Sequence, residues 1–335
     1  MSATLLPQPP YPLHESVKDK LDPEYVNFYN KYIINNQQVH YQPVEASRTS
    51  GILIPGGGPL QSVAKTEDIP IKRRETDGPD IIVRCFTPHG EKPATGWPAT
   101  IYYHGGGWVL GDINTENTVC THMCSRANCV VISVDYRLAP ENPWPAAVHD
   151  SWETVLWVQD IGASLLSLDL NKIAIGGSSA GGNLGAIMSH KGASRGAFSF
   201  VQQILIVPVT DNTATTSNNQ SYKICEYTAA LPAEKMLWYR RHYLPNESDW
   251  ADPEASPLLY EDNWSKQPPA LILVGELDVL RSEGEAYGKK LDDAGVKVEL
   301  YVMKGMPHPF LAMDGSLTAG KQAITYMCEA LKNAF

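Results

Sequence analysis

Short apolar runs alternate with longer segments of helical spacing from about residue 80 onward, and few architectures accommodate that order. Residues 146–159 and 284–296 are two of the segments with helical spacing. This alternation is typical of a mainly parallel sheet with helices on both faces, because parallel strands need a crossover connection. The runs predicted as strands are residues 80–86, 99–104, 129–137, 172–177, 202–209, 270–276 and 296–303.

Two stretches depart from this alternation. Residues 1–55 are polar with scattered prolines and aromatic residues, and they include one predicted helix at residues 22–34. Residues 211–268 are rich in Asn, Thr, Tyr and Trp and contain a helical stretch at residues 232–244. Since the sequence has no repeat and no long linker, we predict one catalytic domain over residues 56–335. The N-terminal segment and the insertion are then expected to form a helical cap.

Charge and hydropathy limit the partners of such a domain. The formal net charge is −10 and the sequence has no lysine run, which disfavours nucleic acid and anionic membranes. Residues 1–20 lack the basic head and apolar stretch of a secretory signal. No apolar run reaches the roughly eighteen residues that a membrane span needs. We therefore expect a cytoplasmic protein without a membrane span.

The six cysteines are few for this length and unevenly placed, which favours a reduced intracellular chain. Cys120, His122, Cys124 and Cys129 offer four potential metal ligands, but they lack the paired C-x-x-C spacing of structural zinc sites. They lie on a predicted helix that leads into a buried strand, where free thiols are common. We predict neither a metal nor a cofactor.

Residues 171–182 read NKIAIGGSSAGG, and Gly177, Ser179 and Gly181 fit the pattern G-x-S-x-G. An apolar strand precedes the pattern and a helical segment follows it, which predicts a sharp strand-to-helix turn. Such a turn holds its serine in a strained conformation with the hydroxyl exposed above the sheet. The glycines then occupy positions where a side chain would collide. A serine hydroxyl is a poor nucleophile at neutral pH and needs an adjacent base.

In this architecture the base is a histidine that follows both the serine and the acid along the chain. Three histidines lie downstream of Ser179: His190 on the helix after the turn, His242 in the insertion, and His308. His308 follows the apolar run at residues 296–303, and ligands meet an open α/β sheet at the carboxyl ends of its strands. We predict that His308 is the base.

The acid should also follow a strand. Asp278 lies three residues beyond the end of the strand predicted in the run at residues 270–276, and Glu276 and Glu283 are its competitors. The separation between Asp278 and His308 leaves room for one helix and one strand between two neighbouring loops. We predict that Asp278 holds the imidazole in the useful tautomer and stabilises its charged form.

Three consecutive glycines, residues 105–107, open the loop after the apolar run at residues 99–104. Without side chains at these positions, backbone N–H groups can point at a carbonyl oxygen. We predict an oxyanion hole formed by the N–H groups of Gly106, Gly107 and Ala180.

The substrate pocket is predicted less directly. Trp108, which follows the glycines, and Ser178, beside the nucleophile, are the candidate pocket residues. Aromatic residues of the insertion and the N-terminal segment could line an aromatic cap, or they could pack the cap's own small core, which is the commoner fate of any single one. These are Tyr25, Phe28, Tyr29, Tyr222, Tyr227, Trp238, Tyr239 and Tyr243.

Five motifs occur in the order HGGGW, DYRLAPENPWPAAVHD, GSSAGG, GELDVLRSEG and HPF. From about residue 80 to the C-terminus, this succession resembles the hormone-sensitive-lipase-like branch of the α/β-hydrolase esterases. The resemblance implies a central, mostly parallel eight-stranded sheet with a helical cap. It also implies a triad of Ser179, Asp278 and His308, with the HGGG loop and Ala180 as the oxyanion hole. Members typically cleave carboxylic esters with short to medium acyl chains without a cofactor, and many form dimers.

The chain departs from the family pattern at three positions. The family usually has Asp where this chain has Ser178, and often Pro and Asp where it has Val279 and Ser282. None of the three departures touches a triad atom. The loss of a carboxylate beside the nucleophile leaves the substrate preference open, while the reaction class is unaffected. Asp135, Arg137 and Pro140 match a structural stretch of the family and are interpreted as scaffold.

The leading hypothesis is a serine carboxylesterase that forms an acyl-enzyme from short to medium acyl or aryl esters, with a homodimer as an option. Two alternatives stay open. One is a non-hydrolytic family member: a small-molecule receptor, as in the plant gibberellin receptors that resemble this family, or an enzyme catalysing elimination or cyclisation. The other is an amide or lactone hydrolase, which would use the same triad.

Overall fold

A computed structural model describes residues 6–49, 55–196 and 199–335. The strands in these ranges are β1 (Lys65–Ile71), β2 (Ile81–Thr87), β3 (Trp97–Tyr103), β4 (Val130–Asp135), β5 (Leu168–Ser178), β6 (Gln202–Ile206), β7 (Ala270–Gly275) and β8 (Val298–Met303). They form one sheet in the order β1-β2-β4-β3-β5-β6-β7-β8. β2 pairs antiparallel with β1 and β4, and all other neighbours are parallel. The predicted fold class is confirmed.

The seven apolar runs all fall on strands, and the sequence analysis missed only β1. β1 pairs with a single neighbour at the edge of the sheet, and most of its side chains are at least partly exposed. An edge strand with a solvent-exposed face has no continuous apolar run. It also tolerates a proline such as Pro70, because one side of its backbone has no strand to pair with. Hydrophobic periodicity therefore gives no strong signal there.

Helices cover both faces of the sheet. They are α1 (Pro23–Tyr32), α2 (Val44–Thr49), α3 (Asn117–Ala127), α4 (Ala146–Trp157), α5 (Ala163–Leu166), α6 (Ala180–Arg195), α7 (Gln220–Ile224), α8 (Ala233–Tyr243), α9 (Arg281–Asp293) and α10 (Thr318–Ala334). Successive side chains of a strand point to opposite faces, so Ile101 of β3 packs in the cluster with α4 and α6, and Tyr102 in the cluster with α3 and α10. Among the described residues, no helix is both long and apolar enough to span a bilayer.

The two stretches outside the alternation contact each other. α1, a 3₁₀ turn at Val39–Tyr41 and α2 precede the sheet, and α7 and α8 lie between β6 and β7. The Tyr41 hydroxyl donates a hydrogen bond of 3.0 Å to Oε2 of Glu234 on α8. The N-terminal segment and the insertion, which are far apart in sequence, are therefore in direct contact.

A buried ion pair joins the loops at one end of the sheet to α4. The Asp150 carboxylate is fully buried and accepts hydrogen bonds from Nη2 of Arg73 at 2.6 Å and Nη2 of Arg137 at 2.8 Å. The backbone N–H of Arg137 donates to the same carboxylate at 2.8 Å. These contacts give Arg137 a structural role, as its place in the sequence motif led us to expect.

Replacing Asp150 with alanine leaves two guanidinium groups without their buried partner. We expect Asp150→Ala to lower the free energy of unfolding by about 3–5 kcal/mol, measured by denaturant titration. Asp293→Ala is the control, because Asp293 pairs with Lys289 on an exposed helix face and should cost less than about 1 kcal/mol. Equal losses in the two variants would contradict a structural role for the buried pair.

Candidate active site

Ser179 lies in the turn between β5, which ends at Ser178, and α6, which begins at Ala180. Its backbone has φ of +55° and ψ of −115°, a conformation that a residue with a side chain rarely adopts. A Cβ at Gly177 would lie 2.2 Å from the Tyr103 carbonyl oxygen, and one at Gly181 1.9 Å from the same oxygen. The turn can be this tight only because both positions are glycine.

The structure brings Ser179, His308 and Asp278 together. Nε2 of His308 lies 2.9 Å from Oγ of Ser179, and its Nδ1 lies 2.7 Å from Oδ2 of Asp278. Oδ1 of Asp278 accepts a hydrogen bond from the Leu280 N–H at 3.0 Å, which fixes the carboxylate. Because an ionised carboxylate only accepts, Nδ1 carries the imidazole proton and Nε2 is free to accept one from the serine.

The competing carboxylates have other partners. Glu276 accepts hydrogen bonds from Nζ of Lys304 at 2.9 Å and the N–H of Gly305 at 2.8 Å. Glu283 is buried and accepts from the N–H of Thr210 at 2.8 Å. Neither carboxylate contacts the His308 ring.

The competing histidines also lie elsewhere. His190 is stacked on the Tyr260 ring with the two centroids 4.2 Å apart, and burial lowers its pKa to about 3. His242 packs edge-on against Trp238 with centroids 4.5 Å apart. Both histidine rings pack against other aromatic side chains, and neither contacts Ser179.

The glycine loop passes beside Ser179. Gly106 has φ of +128° and Gly107 φ of +62°, and a Cβ at Gly106 would lie 2.0 Å from the Leu110 carbonyl oxygen. Both glycines line the same pocket as Ser179. Within the described ranges, no acceptor pairs with the N–H groups of Gly106, Gly107 or Ala180. Ala180 is the first residue of α6, where a helix leaves its N–H groups unpaired.

Trp108 does not lie in the pocket, contrary to the expectation from sequence. It is fully buried, and its ring stacks on Tyr243 with centroids 4.2 Å apart. Its left-handed backbone, with φ of +59°, follows the left-handed Gly107. Two consecutive residues in this conformation turn the chain, and the indole ends in the core.

Most of the aromatic residues considered for the cap also lie outside the pocket. Tyr239 lines it, close to Gly107. The other seven do not: Tyr222 and Tyr243 are buried, Trp238 is partly buried, Tyr227 is half exposed, and Tyr25, Phe28 and Tyr29 of α1 are buried in the cluster with α3 and α10. Apart from Tyr227, these side chains pack, but in the two clusters on the faces of the sheet and not in a small core of the cap's own.

Glu116 is a pocket residue that sequence reasoning missed. The Ser178 hydroxyl donates a hydrogen bond of 2.5 Å to Oε1 of Glu116, and both residues line the pocket. Burial raises the pKa of the Glu116 carboxyl above its ordinary value. The family usually has an acidic side chain at the position of Ser178, and here a carboxyl group beside the turn comes from the segment just before α3. In the sequence, the only sign of this arrangement is the serine at position 178, where the family usually has Asp.

A pocket of about 440 Å³ opens above Ser179, a size typical of small-molecule sites. Its apolar lining includes Val39, Val209, Leu231, Met236, Tyr239 and Met313, and its polar lining includes Gln38, Glu116 and Lys235.

The cysteine-rich helix offers no metal centre. All six cysteines are free and buried, and burial raises the pKa of the Cys124 thiol to about 12. Metals bind the thiolate, which burial disfavours here. In the part of the chain that the structure describes, no group of three His, Cys, Asp or Glu residues is arranged to hold a metal ion.

Comparison with known proteins agrees with this fold and site. A family model described as the alpha/beta hydrolase fold matches residues 100–312. An AB hydrolase superfamily protein of Schizosaccharomyces pombe is 51% identical over 331 residues, 97% of each chain. The arylesterase of Saccharolobus solfataricus is 34% identical over 318 residues, 94% of this chain and 99% of that one. The solved esterase of Pyrobaculum calidifontis superposes with a TM-score of 0.84 at 32% identity, covering 94% of this chain and 98% of that one.

The chain therefore belongs to the α/β-hydrolase family, in its hormone-sensitive-lipase-like branch, and the predicted family is confirmed. Within that family it is a serine carboxylesterase, as the sequence predicted. The esterase relatives favour this class over a non-hydrolytic receptor.

The raised pKa of Glu116 predicts a pH-dependent contribution to stability. The folded state favours the neutral carboxyl, so the contribution is present below the unfolded-state pKa and is lost as pH rises through the folded-state pKa. Glu116→Gln keeps an acceptor for Ser178 but cannot ionise. We expect the free energy of unfolding of wild type to fall relative to that of Glu116→Gln as pH rises above the ordinary pKa of a glutamic acid, because the folded state holds the proton longer than the unfolded state does. Parallel pH curves for the two proteins would contradict this.

Proposed function

We propose that the enzyme hydrolyses carboxylic esters with a triad of Ser179 as nucleophile, His308 as general base and Asp278 as its orienting acid. The observation that carries the proposal is the 2.9 Å contact between Nε2 of His308 and Oγ of Ser179, continued by the 2.7 Å contact to Asp278. All three side chains are buried, and Ser179 and His308 line the pocket with Asp278 behind the imidazole. This chain of contacts is the geometry that serine activation needs.

In the first half-reaction, Oγ of Ser179 attacks the ester carbonyl carbon while Nε2 of His308 accepts the hydroxyl proton. The tetrahedral intermediate then collapses, and His308 returns that proton to the departing alcohol. In the second half-reaction, His308 takes a proton from water, and the resulting hydroxide attacks the acyl-enzyme. Collapse releases the acid, and Ser179 regains its proton. Asp278 holds the ring and stabilises its positive charge in both halves.

The N–H groups of Gly106, Gly107 and Ala180 are proposed as donors to the oxyanion of both intermediates. Two observations support this role: these N–H groups have no acceptor among the described residues, and the two glycines line the same pocket as Ser179. A preformed donor of this kind contributes about 3–4 kcal/mol to transition-state stabilisation.

Residues 1–55 and 211–268, of which 1–5 and 50–54 lie outside the described residues, are proposed to form a cap over the site. The substrates are proposed to be short to medium acyl or aryl esters. Val39 from the first segment and Met236 and Tyr239 from the second line the pocket, whose volume of about 440 Å³ suits a small ester. The name of the Saccharolobus solfataricus relative, an arylesterase, agrees with this class. A homodimer and a cytoplasmic location stay predictions from the sequence.

Fluorophosphonate labelling separates the two adjacent serines. We expect Ser179→Ala to abolish labelling and to lower turnover of p-nitrophenyl butyrate by at least about 10⁴-fold, because the nucleophile is gone. Ser178→Ala is the matched control and should still be labelled, since Ser178 contacts Glu116 rather than His308. Turnover that survives in Ser179→Ala, or a label that disappears only in Ser178→Ala, would defeat the assignment.

The acid is tested by two neighbouring carboxylates. Asp278→Asn should lower kcat by about 10³–10⁴-fold, because the amide no longer holds the required imidazole tautomer. Glu276→Gln should keep kcat close to the wild-type value, because Glu276 bonds Lys304 and Gly305 instead of the imidazole. Steady-state kinetics with p-nitrophenyl butyrate measure both, and a larger loss in Glu276→Gln would transfer the role to that residue.

A further inference from the structure

One cation lies in the wall of the substrate pocket. Among the pocket-lining residues that the structure describes, Lys235 is the sole lysine or arginine. It is the third residue of α8, and its Nζ donates a hydrogen bond of 2.7 Å to the carbonyl oxygen of Ala230, which also lines the pocket.

Lys235 has unused hydrogen-bonding capacity. An ammonium group has three donors, and the contact with Ala230 uses one of them. In the described ranges, Nζ forms no ion pair, and burial lowers the pKa of Lys235 to about 8. The carboxyl group in the pocket lining is that of Glu116, which is bonded to Ser178 and which burial favours in its neutral form. The positive charge is therefore not neutralised from within the pocket.

Helix stability does not explain a lysine at this position. The N-terminal end of a helix carries a partial positive charge, so a cation in the first turn of α8 is unfavourable there. Burial of the ammonium adds a desolvation cost that a single carbonyl contact offsets poorly. Lys235 thus destabilises the folded protein both through the helix dipole and through desolvation of its ammonium group. A residue of this kind in a substrate pocket is a candidate for ligand binding.

We propose that Lys235 binds a carboxylate on the substrate, so that the enzyme prefers esters bearing a second, ionised carboxyl group. This inference rests on the proposed ester hydrolysis at Ser179 and names the substrate class of that site. Monoesters of dicarboxylic acids carry the carboxylate on the acyl side, and acylated hydroxy acids carry it on the alcohol side. In either case, Lys235 holds the charged end while the ester carbonyl lies at Ser179.

The test compares two pairs of substrates that differ only in charge: monoethyl glutarate with its terminal carboxamide analogue, and 3-acetoxypropanoate with 3-acetoxypropanamide. This test is stringent because the protein has a net charge of −10, and its overall field repels an anionic substrate. In wild type, kcat/KM for the carboxylate should exceed that for the amide by at least about tenfold in one pair, the size of a charged hydrogen bond. The pair that shows the preference identifies the side on which Lys235 acts.

Lys235→Met then removes the charge and keeps an unbranched side chain that is one atom shorter. We expect the preference to shrink to within about twofold, through a higher KM for the carboxylate and an unchanged kcat/KM for the amide. Glu234→Gln is the matched control, because Glu234 is the exposed neighbour on α8 that bonds Tyr41, and it should keep the preference.

Absence of the preference in both wild-type pairs overturns the inference, as does an equal loss on carboxylate and amide in Lys235→Met. The wild-type comparison stands by itself if Lys235→Met does not fold. p-Nitrophenyl butyrate distinguishes a failure of the inference about Lys235 from a failure of the proposed function. If the enzyme hydrolyses this ester but shows no preference for carboxylates, only the inference about Lys235 is overturned. If the enzyme hydrolyses none of the five esters, the proposed function itself is overturned.

Discussion

The site depends on one close backbone approach, between the Tyr103 carbonyl oxygen at the end of β3 and the two glycines that flank Ser179. Any side chain at Gly177 or Gly181 would overlap that oxygen. The approach holds the end of β5 against β3 and fixes Ser179 in its left-handed conformation. It also places the turn beside the glycine loop, since that loop is the direct continuation of β3. The proposed nucleophile and the proposed oxyanion donors thus share one backbone constraint.

The parallel pairing of β7 and β8 brings the other two catalytic candidates to the same edge. Gly275 at the end of β7 is in register with Met303 at the end of β8, so the loops that follow lie side by side. Asp278 and His308 occupy these loops, which explains how residues far apart in sequence reach 2.7 Å. Order along the chain and parallel register together produce the contact.

The electrostatics of the pocket come from segments outside the parallel strands. Glu116 lies just before α3 and restores a carboxyl beside the nucleophile turn, where Ser178 takes the place of the family's usual Asp. Lys235 belongs to α8, in the insertion between β6 and β7. The proposed triad lies on the turns and loops that follow the parallel strands, while the charged side chains of the pocket come from the surrounding segments. This division is common in α/β folds, whose loops differ more than their strands.

The sequence by itself determined the sheet and the positions of Ser179, Asp278 and His308, because strand periodicity, glycine requirements and chain order are local properties. It did not reveal β1, whose exposed edge position removes the apolar signal. Only the tertiary structure decided that Trp108 packs on Tyr243 and that Glu116 bonds Ser178. Those outcomes depend on the direction in which a side chain leaves a turn, and on contacts between segments far apart in sequence. No local pattern encodes such contacts, because they form only when the elements pack.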